Sequence, residues 1–370
     1  MDKQLLIHAN KLIHDRRPDM NETQACVVTP VEDMLELSFA SKQCRNDKAG
    51  ICTMCDYGRS SNQWSEEDYI NSLKTILNND LRSFKSIHLS TNGSLMDEYQ
   101  ISTSLFQRII NELSLCSIPE IGIETHFRTV TNSKLHFIQQ HLLGKKVYIE
   151  MGLETLHPQC LSTLIMKLVI PEDLSRTVDM VQRFGFTAVL NVIFGMPFMN
   201  VKEQIEDTEK TLHWVFQRQC RSVIFPINIK PYTLLSHIHR TGFYQPVSHW
   251  LLIILLDYLP IIYLSNITVA YYGNRNEDYQ NVKSRTIFPI CCKICKPLLF
   301  DFYQSFNTEP NADGRKLLLQ NLLQRISCDC LTKEVEKLDS CSDDTTFIQR
   351  YLVYEDLLRS KLSRGESLNE

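Results

Sequence analysis

An α/β fold built on a parallel sheet is what this chain predicts, and three observations predict it. Six short apolar runs, mostly rich in β-branched residues, recur between about residues 31 and 235. Amphipathic stretches of helical length separate them. Three cysteines follow directly on the first run, at the strand end where parallel α/β folds gather their functional groups.

The runs are Leu35–Ala40, Ser86–Leu89, Glu120–Glu124, Val147–Leu153, Thr187–Phe194 and Val223–Ile229. The stretches Glu66–Asn78, Glu98–Leu115, Thr131–Leu143, Pro171–Phe184 and Val201–Gln217 read as helices. Ser65 ahead of Glu66, Glu67 and Asp68 marks a helix start, with acids on the positive end of the dipole. Pro171-Glu172-Asp173 marks another, proline being admissible in a first turn. The β–α alternation implies parallel strands joined by right-handed crossovers. Periodicity does not choose between an open doubly wound sheet and a full or partial (β/α) barrel.

After about residue 236 the pattern changes. His249–Leu259 reads as a helix, Ile290–Leu299 is a cysteine-bearing segment, and Arg315–Ile326 is a helix leading to Cys328-Asp329-Cys330. The polar tail Arg359–Glu370 is expected to fray. The organisation expected is an N-terminal extension over 1–30, a core over 31–240 and a helical, Cys-rich region over 241–370.

Composition limits the function. With 370 residues, 43% hydrophobic and 22% charged, the chain has the make-up of a soluble globular protein with a full-sized core. A net charge of −4 supplies no global cationic field for nucleic acid. Met1–Pro18 carries charges throughout and no apolar core of a secretion signal. The apolar stretch Trp250–Leu264 is 15 residues long, contains Asp257 and Pro260, and is shorter than the ~20 residues a membrane span needs. A buried helix ending near Pro260 is expected, in a cytoplasmic protein that meets no membrane. Thirteen cysteines in a chain of this kind point to metal ligation where they cluster. Single ones such as Cys26, Cys116, Cys160 and Cys220 read as small buried hydrophobes.

The first cluster is Cys44-Arg-Asn-Asp-Lys-Ala-Gly-Ile-Cys52-Thr-Met-Cys55. Three thiolates on one loop can wrap one face of an iron–sulfur cube, and Gly50 frees the loop just before Cys52. Three ligands leave one iron open, as a catalytic metal site requires. Zinc is the alternative, but it wants a fourth Cys or His, and within 30 residues on either side only Cys26 is near, the nearest histidines being His14 and His88.

Here the sequence resembles a known family. Cys52-Thr-Met-Cys-Asp-Tyr-Gly58, after a seven-residue gap from Cys44, is similar to the cluster loop of the archaeosine-synthase radical S-adenosylmethionine (SAM) subunits, a family akin to the Elongator catalytic-subunit-like group. Ser90–Asp97 resembles its second-strand loop, Ile149–Thr155 its fourth-strand motif, Phe194–Phe198 its fifth strand end and Ile227–Thr233 its sixth strand. The resemblance covers roughly 30–335. Ala49-Gly50-Ile51 and Asn92-Gly93-Ser94 stand where that family carries a Gly-Gly-rich loop and a Ser-Gly-Ser loop, which marks a diverged relative. The resemblance implies a partial (β/α)6 TIM-type barrel with a small Cys-rich C-terminal extension. It also implies a [4Fe–4S] cluster on Cys44, Cys52 and Cys55, SAM on the open iron, and reductive cleavage of SAM to a 5′-deoxyadenosyl radical.

It further implies that Tyr57 lies beside the adenine; a core tyrosine is the alternative. Asn92, Gly93 and Ser94 close the second strand, where glycine allows close approach and polar neighbours meet an ammonium or carboxylate. Glu124, Glu150 and Glu154 lie in otherwise apolar runs, where an unpaired carboxylate is costly. Glu150, Gly152 and Glu154 share a face by the strand period. Glu154 is the candidate for the SAM ribose or ammonium. Glu124 and Glu150 are candidates for a cationic substrate or a structural ion pair, with Asn191 a SAM or substrate ligand. Lys230 either faces substrate or is solvated.

Cys292-Lys-Ile-Cys295 and Cys328-Asp-Cys330 form a second set, read as structural zinc with a second iron–sulfur cluster as the alternative, and Cys291 as a substitute ligand. Four unligated thiols remain the plain alternative. The function expected is a radical SAM enzyme acting on a small metabolite or a modified nucleobase. A tRNA 7-deazaguanine subunit working with a partner enzyme is a variant of it, and an electron donor protein is implied in both. A non-catalytic zinc scaffold is the competing class.

Overall fold

The computed structural model describes residues 2–17, 23–56, 64–167, 169–271, 286–340 and 345–368. Eight strands form one sheet in chain order: β1 (Cys26–Val31), β2 (Met34–Phe39), β3 (Ser86–Thr91), β4 (Glu120–Thr125), β5 (Lys146–Glu154), β6 (Thr187–Phe194), β7 (Arg221–Pro226) and β8 (Ile267–Val269). β1 runs antiparallel to β2, and every later neighbour is parallel. Among the described residues β1 and β8 do not pair with each other. The curled sheet is therefore an open, partial TIM-type barrel, and its six predicted runs are β2 to β7.

Local chemistry sets the element ends. Ser65 and Asp68 form a reciprocal capping box at the start of Glu66–Leu77, and Asn200 with Glu203 does the same for Val201–Gln217. Pro171 opens Pro171–Arg183 in the first turn. The helix expected from Glu98 begins instead at Thr103, because the Ser102 hydroxyl accepts from Leu105 N–H and caps it there. β1 and β8 carried little signal. Pro30 and the exposed Val27 and Val28 make β1 an edge strand, and β8 is three residues long.

The main core lies between the sheet and its flanking helices. A second core joins the loops after β5, β6 and β7 to the terminal helices Lys3–His14 and Phe347–Ser363. Both chain ends therefore fold onto the C-terminal edge of the sheet. The tail expected to fray is packed as far as it is described: the last helix runs to Ser363, Leu368 is buried, and its carbonyl accepts from Arg240 at 3.0 Å. The helix His249–Tyr258 ends before Pro260 and is buried along most of its length. Among the described residues no helix is long and apolar enough to cross a membrane.

Candidate active site and metal centre

The cysteine loop leaves the C-terminal end of β2. Cys44 precedes a single helical turn, Arg45–Lys48, closed by Lys48 N–H to the Cys44 carbonyl at 3.0 Å. Gly50 takes a φ of +73°, and a Cβ there would lie 2.8 Å from Lys11 Cγ and 3.0 Å from the Ile7 carbonyl. Glycine is thus demanded by the N-terminal helix lying against the loop. Thr53 ties the loop to both neighbouring segments: its N–H and hydroxyl donate to the Leu164 carbonyl at 3.3 and 2.7 Å, and its carbonyl accepts from Leu235 N–H at 3.0 Å.

The thiols of Cys52 and Cys55 share a hydrogen bond, which pushes Cys52 well above the usual thiol range and pulls Cys55 below it. Burial pushes Cys44 up. Lys167 lies within electrostatic reach of all three thiols, and Lys230 reaches Cys55. Three thiols beside fixed cations suit a site that binds thiolates. Three thiols on one loop can each meet a separate iron of a cube, so the donor set fits a cluster.

Lys167 also pairs with Glu154. Burial works against the charge on Lys167, but Glu154 and the cysteines outweigh it and hold its ammonium form above the ordinary lysine range. Glu154 sits at a bulge at the end of β5 with a φ of +71°, and its carboxylate folds back over Gly152, which leaves room for it by having no Cβ.

Inside the barrel, β2 to β6 present a polar row. Glu36 registers against His88, Glu124 against Glu150, and Gly152 against Asn191. His88 leans over Gly122, where a Cβ would come within 2.7 Å of the ring, and its Nε2 meets Glu150 Oε2 at 3.0 Å. Burial opposes the imidazolium, yet Glu150, with Glu124 and Glu36, lifts His88 to about 9. Burial also opposes the Glu150 carboxylate, but His88 and a hydrogen bond from Asn191 hold it below the usual range. Burial and the Glu150 charge push Glu124 up to about 7, against His88 and Lys167. The Asn191 Oδ1 is buried without a hydrogen-bond partner.

The structure thus brings Glu124, Glu150 and Asn191 together in the lumen, with Glu154 at its rim. Lys230 is paired with Asp56 at 2.7 Å beside the cysteine loop. Ser94 is buried, and its hydroxyl is engaged by Thr125, Thr129 and the His126 N–H at 2.7, 2.8 and 3.1 Å. Gln100 fills the space over Gly93, and its Oε1 accepts from Ser94 N–H at 2.7 Å. Tyr57 lies outside the described residues. Sequence reasoning missed His88 and Lys167. His88 had a signal, a titratable group on the inward phase of a strand, whereas Lys167 follows a π-helical turn, Leu161–Ile165, that no local pattern announces.

The second set closes tightly. Cys292, Cys295, Cys328 and Cys330 place all four Sγ atoms within 4.8 Å of one another, with Cys292 and Cys295 at 3.3 Å. Four thiolates on a tetrahedral ion with metal–sulfur bonds of about 2.3 Å sit about 3.8 Å apart, so the geometry fits zinc. Cys295 opens the helix Cys295–Thr308 and Cys330 opens Cys330–Asp339, while Trp250 Nε1 donates to the Cys295 sulfur at 3.3 Å. The Cys295 N–H pulls the Cys292 thiol down to about 7, and burial pushes Cys295 and Cys330 up to about 11 and about 12. Cys291 is outside this group.

The chain combines an open parallel half-barrel with a three-cysteine loop after its first parallel strand, and it resembles radical SAM proteins distantly. It is 24% identical over 322 residues to the archaeosine synthase subunit beta of Methanosarcina acetivorans, covering 85% of this chain and 86% of that protein. No family model matches the chain. Among solved structures, methylornithine synthase (PylB) overlays with a TM-score of 0.46 at 13% identity, covering 90% of this chain and 91% of that one. The radical S-adenosylmethionine methyltransferase TsrM from Kitasatospora setae, with cobalamin and a [4Fe–4S] cluster bound, overlays at 0.46 and 9% identity, covering 78% of this chain and 61% of that one. The chain spans less than two thirds of TsrM. At scores below 0.5 these are distant overlays, and the relation rests on the curated relative.

Proposed function

We propose that Cys44, Cys52 and Cys55 hold a [4Fe–4S] cluster and that the chain is a radical SAM enzyme acting on a substrate held in the barrel lumen. One observation carries this reading: three thiols on one loop at the end of β2 share the field of Lys167, which is paired with Glu154 at the end of β5. When bound, the cluster and SAM supply electron transfer and a hydrogen-abstracting radical. The chain's own residues bind and orient. Lys167 meets the carboxylate of SAM, and Glu154 its ammonium or ribose hydroxyls, exchanging their present pairing for the ligand. Asn92 and Gly93 offer backbone and amide contacts, with Ser94 holding their loop in place. Lys230, through Asp56, steadies the segment just after Cys55. Glu124, Glu150 and Asn191 face the substrate with acceptor oxygens, which suits a group rich in N–H donors.

The relative is named as one subunit of archaeosine synthase. That supports a partner-dependent variant of the same reading, with a modified nucleobase as substrate. The four C-terminal cysteines we read as a structural zinc site, on the spacing of their sulfurs.

The test is anaerobic reconstitution followed by iron and sulfide analysis, then SAM and dithionite with 5′-deoxyadenosine followed by chromatography. The expected result is about four irons on the three-cysteine loop, deoxyadenosine from the parent, and loss of both in Cys52→Ala. Zinc without iron, and no deoxyadenosine, would make the chain a zinc-binding scaffold instead.

A further inference from the structure

The N-terminal helix Lys3–His14 carries a residue that helix chemistry does not explain. Asn10 sits in the helix interior, a poor place for asparagine, and is fully buried, a costly place for an amide without partners. All of its partners are backbone groups of the candidate site. Its Nδ2 donates to the Gly50 and Cys52 carbonyls, each at 3.1 Å, and its Oδ1 accepts from Leu234 N–H at 3.0 Å. Just beyond the helix, Arg17 spreads its guanidinium in the same way. Its Nε donates to the Tyr232 carbonyl at 3.1 Å, its Nη1 to Asp47 at 2.6 Å, and its Nη2 to Asp47 at 3.2 Å and to the Cys55 carbonyl at 2.9 Å. Asp47 is itself fully buried inside the cysteine loop, with His14 Nε2 at 3.4 Å.

We infer that Asn10 and Arg17 are positioning residues for the cluster, clamping the Cys52–Cys55 segment by its two cysteine carbonyls. The inference rests on the reading of Cys44, Cys52 and Cys55 as cluster ligands. The helix that carries Asn10 is anchored by the second core and by the C-terminal helix Phe347–Ser363. Leu6, Ala9 and Ile13 are buried in the second core, Asp2 N–H donates to Glu355 at 2.8 Å, and Arg359 pairs with Asp2 at 2.7 Å. Neither residue has a side-chain contact with a thiol; each acts on the carbonyl beside one. Groups that orient metal ligands in this way set both retention and electronics of a site. Arg17 adds charge: removing it takes a cation from beside Cys55 and leaves Asp47 without its closest partner, and both changes disfavour the more negative, reduced cluster.

The full chain is reconstituted anaerobically as parent, Asn10→Ala, Arg17→Ala and Arg17→Lys. Iron release to a chelator, the electron paramagnetic resonance of the reduced cluster, its midpoint potential, and the melting temperature are then compared. Asn10→Ala and Arg17→Ala should release iron about ten-fold faster than the parent. Arg17→Ala should also shift the potential to more negative values. Arg17→Lys should recover most of that potential shift, since the charge returns, while still releasing iron faster because the fork is gone. Folded Arg17→Ala and Asn10→Ala proteins with parental release rate, spectrum and potential would overturn the inference. Should Arg17→Ala fail to fold, Arg17→Lys decides: parental release from it overturns the clamp. A parent that binds no iron would instead overturn the underlying reading of the three cysteines, and the clamp with it.

Discussion

Glu124 has the most informative single carboxyl in the lumen. Burial and Glu150 hold it near 7, so the folded chain keeps a proton there that the unfolded chain, with the ordinary value of 4.5, gives up earlier. Between those values the folded state binds more protons, and stability falls as pH rises. His88, lifted to about 9 from 6.5, acts in the same direction over a later window: its contribution is full below about 6.5 and is lost as pH rises through about 9. The melting-temperature difference between parent and Glu124→Gln should therefore become less favourable to the parent from pH 5 to 7 and then level off. A difference that stays flat across that range would show that Glu124 titrates as an ordinary exposed carboxyl. These residues were unequally legible. Glu124, Glu150 and Glu154 stood out because a carboxylate in an apolar run needs a reason. His88 carried a weaker signal, a titratable group on the inward phase of its strand. Lys167 depends on a turn that only tertiary packing defines.

At the scale of elements, the strand period and the capping chemistry were legible because both are local. β6 and the helix Val201–Gln217 have the limits that their sequence pattern implies, the helix start resting on the Asn200 capping box. The end of β5 is different. Period two puts Glu150, Gly152 and Glu154 on one face, but a bulge between Gly152 and Glu154 breaks the register there. Glu154 reaches the Gly152 face by a left-handed φ and a folded-back side chain. That makes Gly152 a space-maker for the Glu154–Lys167 pair. In Gly152→Ala the new methyl falls on the Glu154 carboxylate and within 3.3 Å of Lys167 Nζ. The pair must move, and SAM affinity of the reconstituted protein should drop about ten-fold, with iron content unchanged. Equilibrium binding of SAM measures it, and parental affinity would mean that Glu154 and Lys167 do not touch the ligand.

At the scale of the whole molecule, the chain carries two sets of cysteines, and the proposed reading gives them different metals. Neither the contact of the N-terminal helix with the first centre nor the closure of the second could be read locally. Asn10 and Gly50 are 40 residues apart, and the Cys292/Cys295 and Cys328/Cys330 pairs are joined only by the fold. The second centre also has mechanical work to do. The helix Cys330–Asp339 fully buries only Glu334, while Leu331 and Leu338 pack partly buried against the main core. On the zinc reading, Cys330 adds a further anchor through the ion that the four cysteines would share. Cys328→Ser should therefore cost the protein its zinc, about one ion per chain, while leaving the iron of the first centre in place. Thiolate loss at a closed tetrahedral site should also lower the melting temperature by about 3–4 °C, which corresponds to about 2–3 kcal/mol for a chain of this size. Metal analysis of parent and variant by mass spectrometry separates the two centres. Iron lost together with zinc would mean that the C-terminal region supports the first centre directly. No zinc in the parent would leave Leu331 and Leu338 against the core as the anchors of that helix.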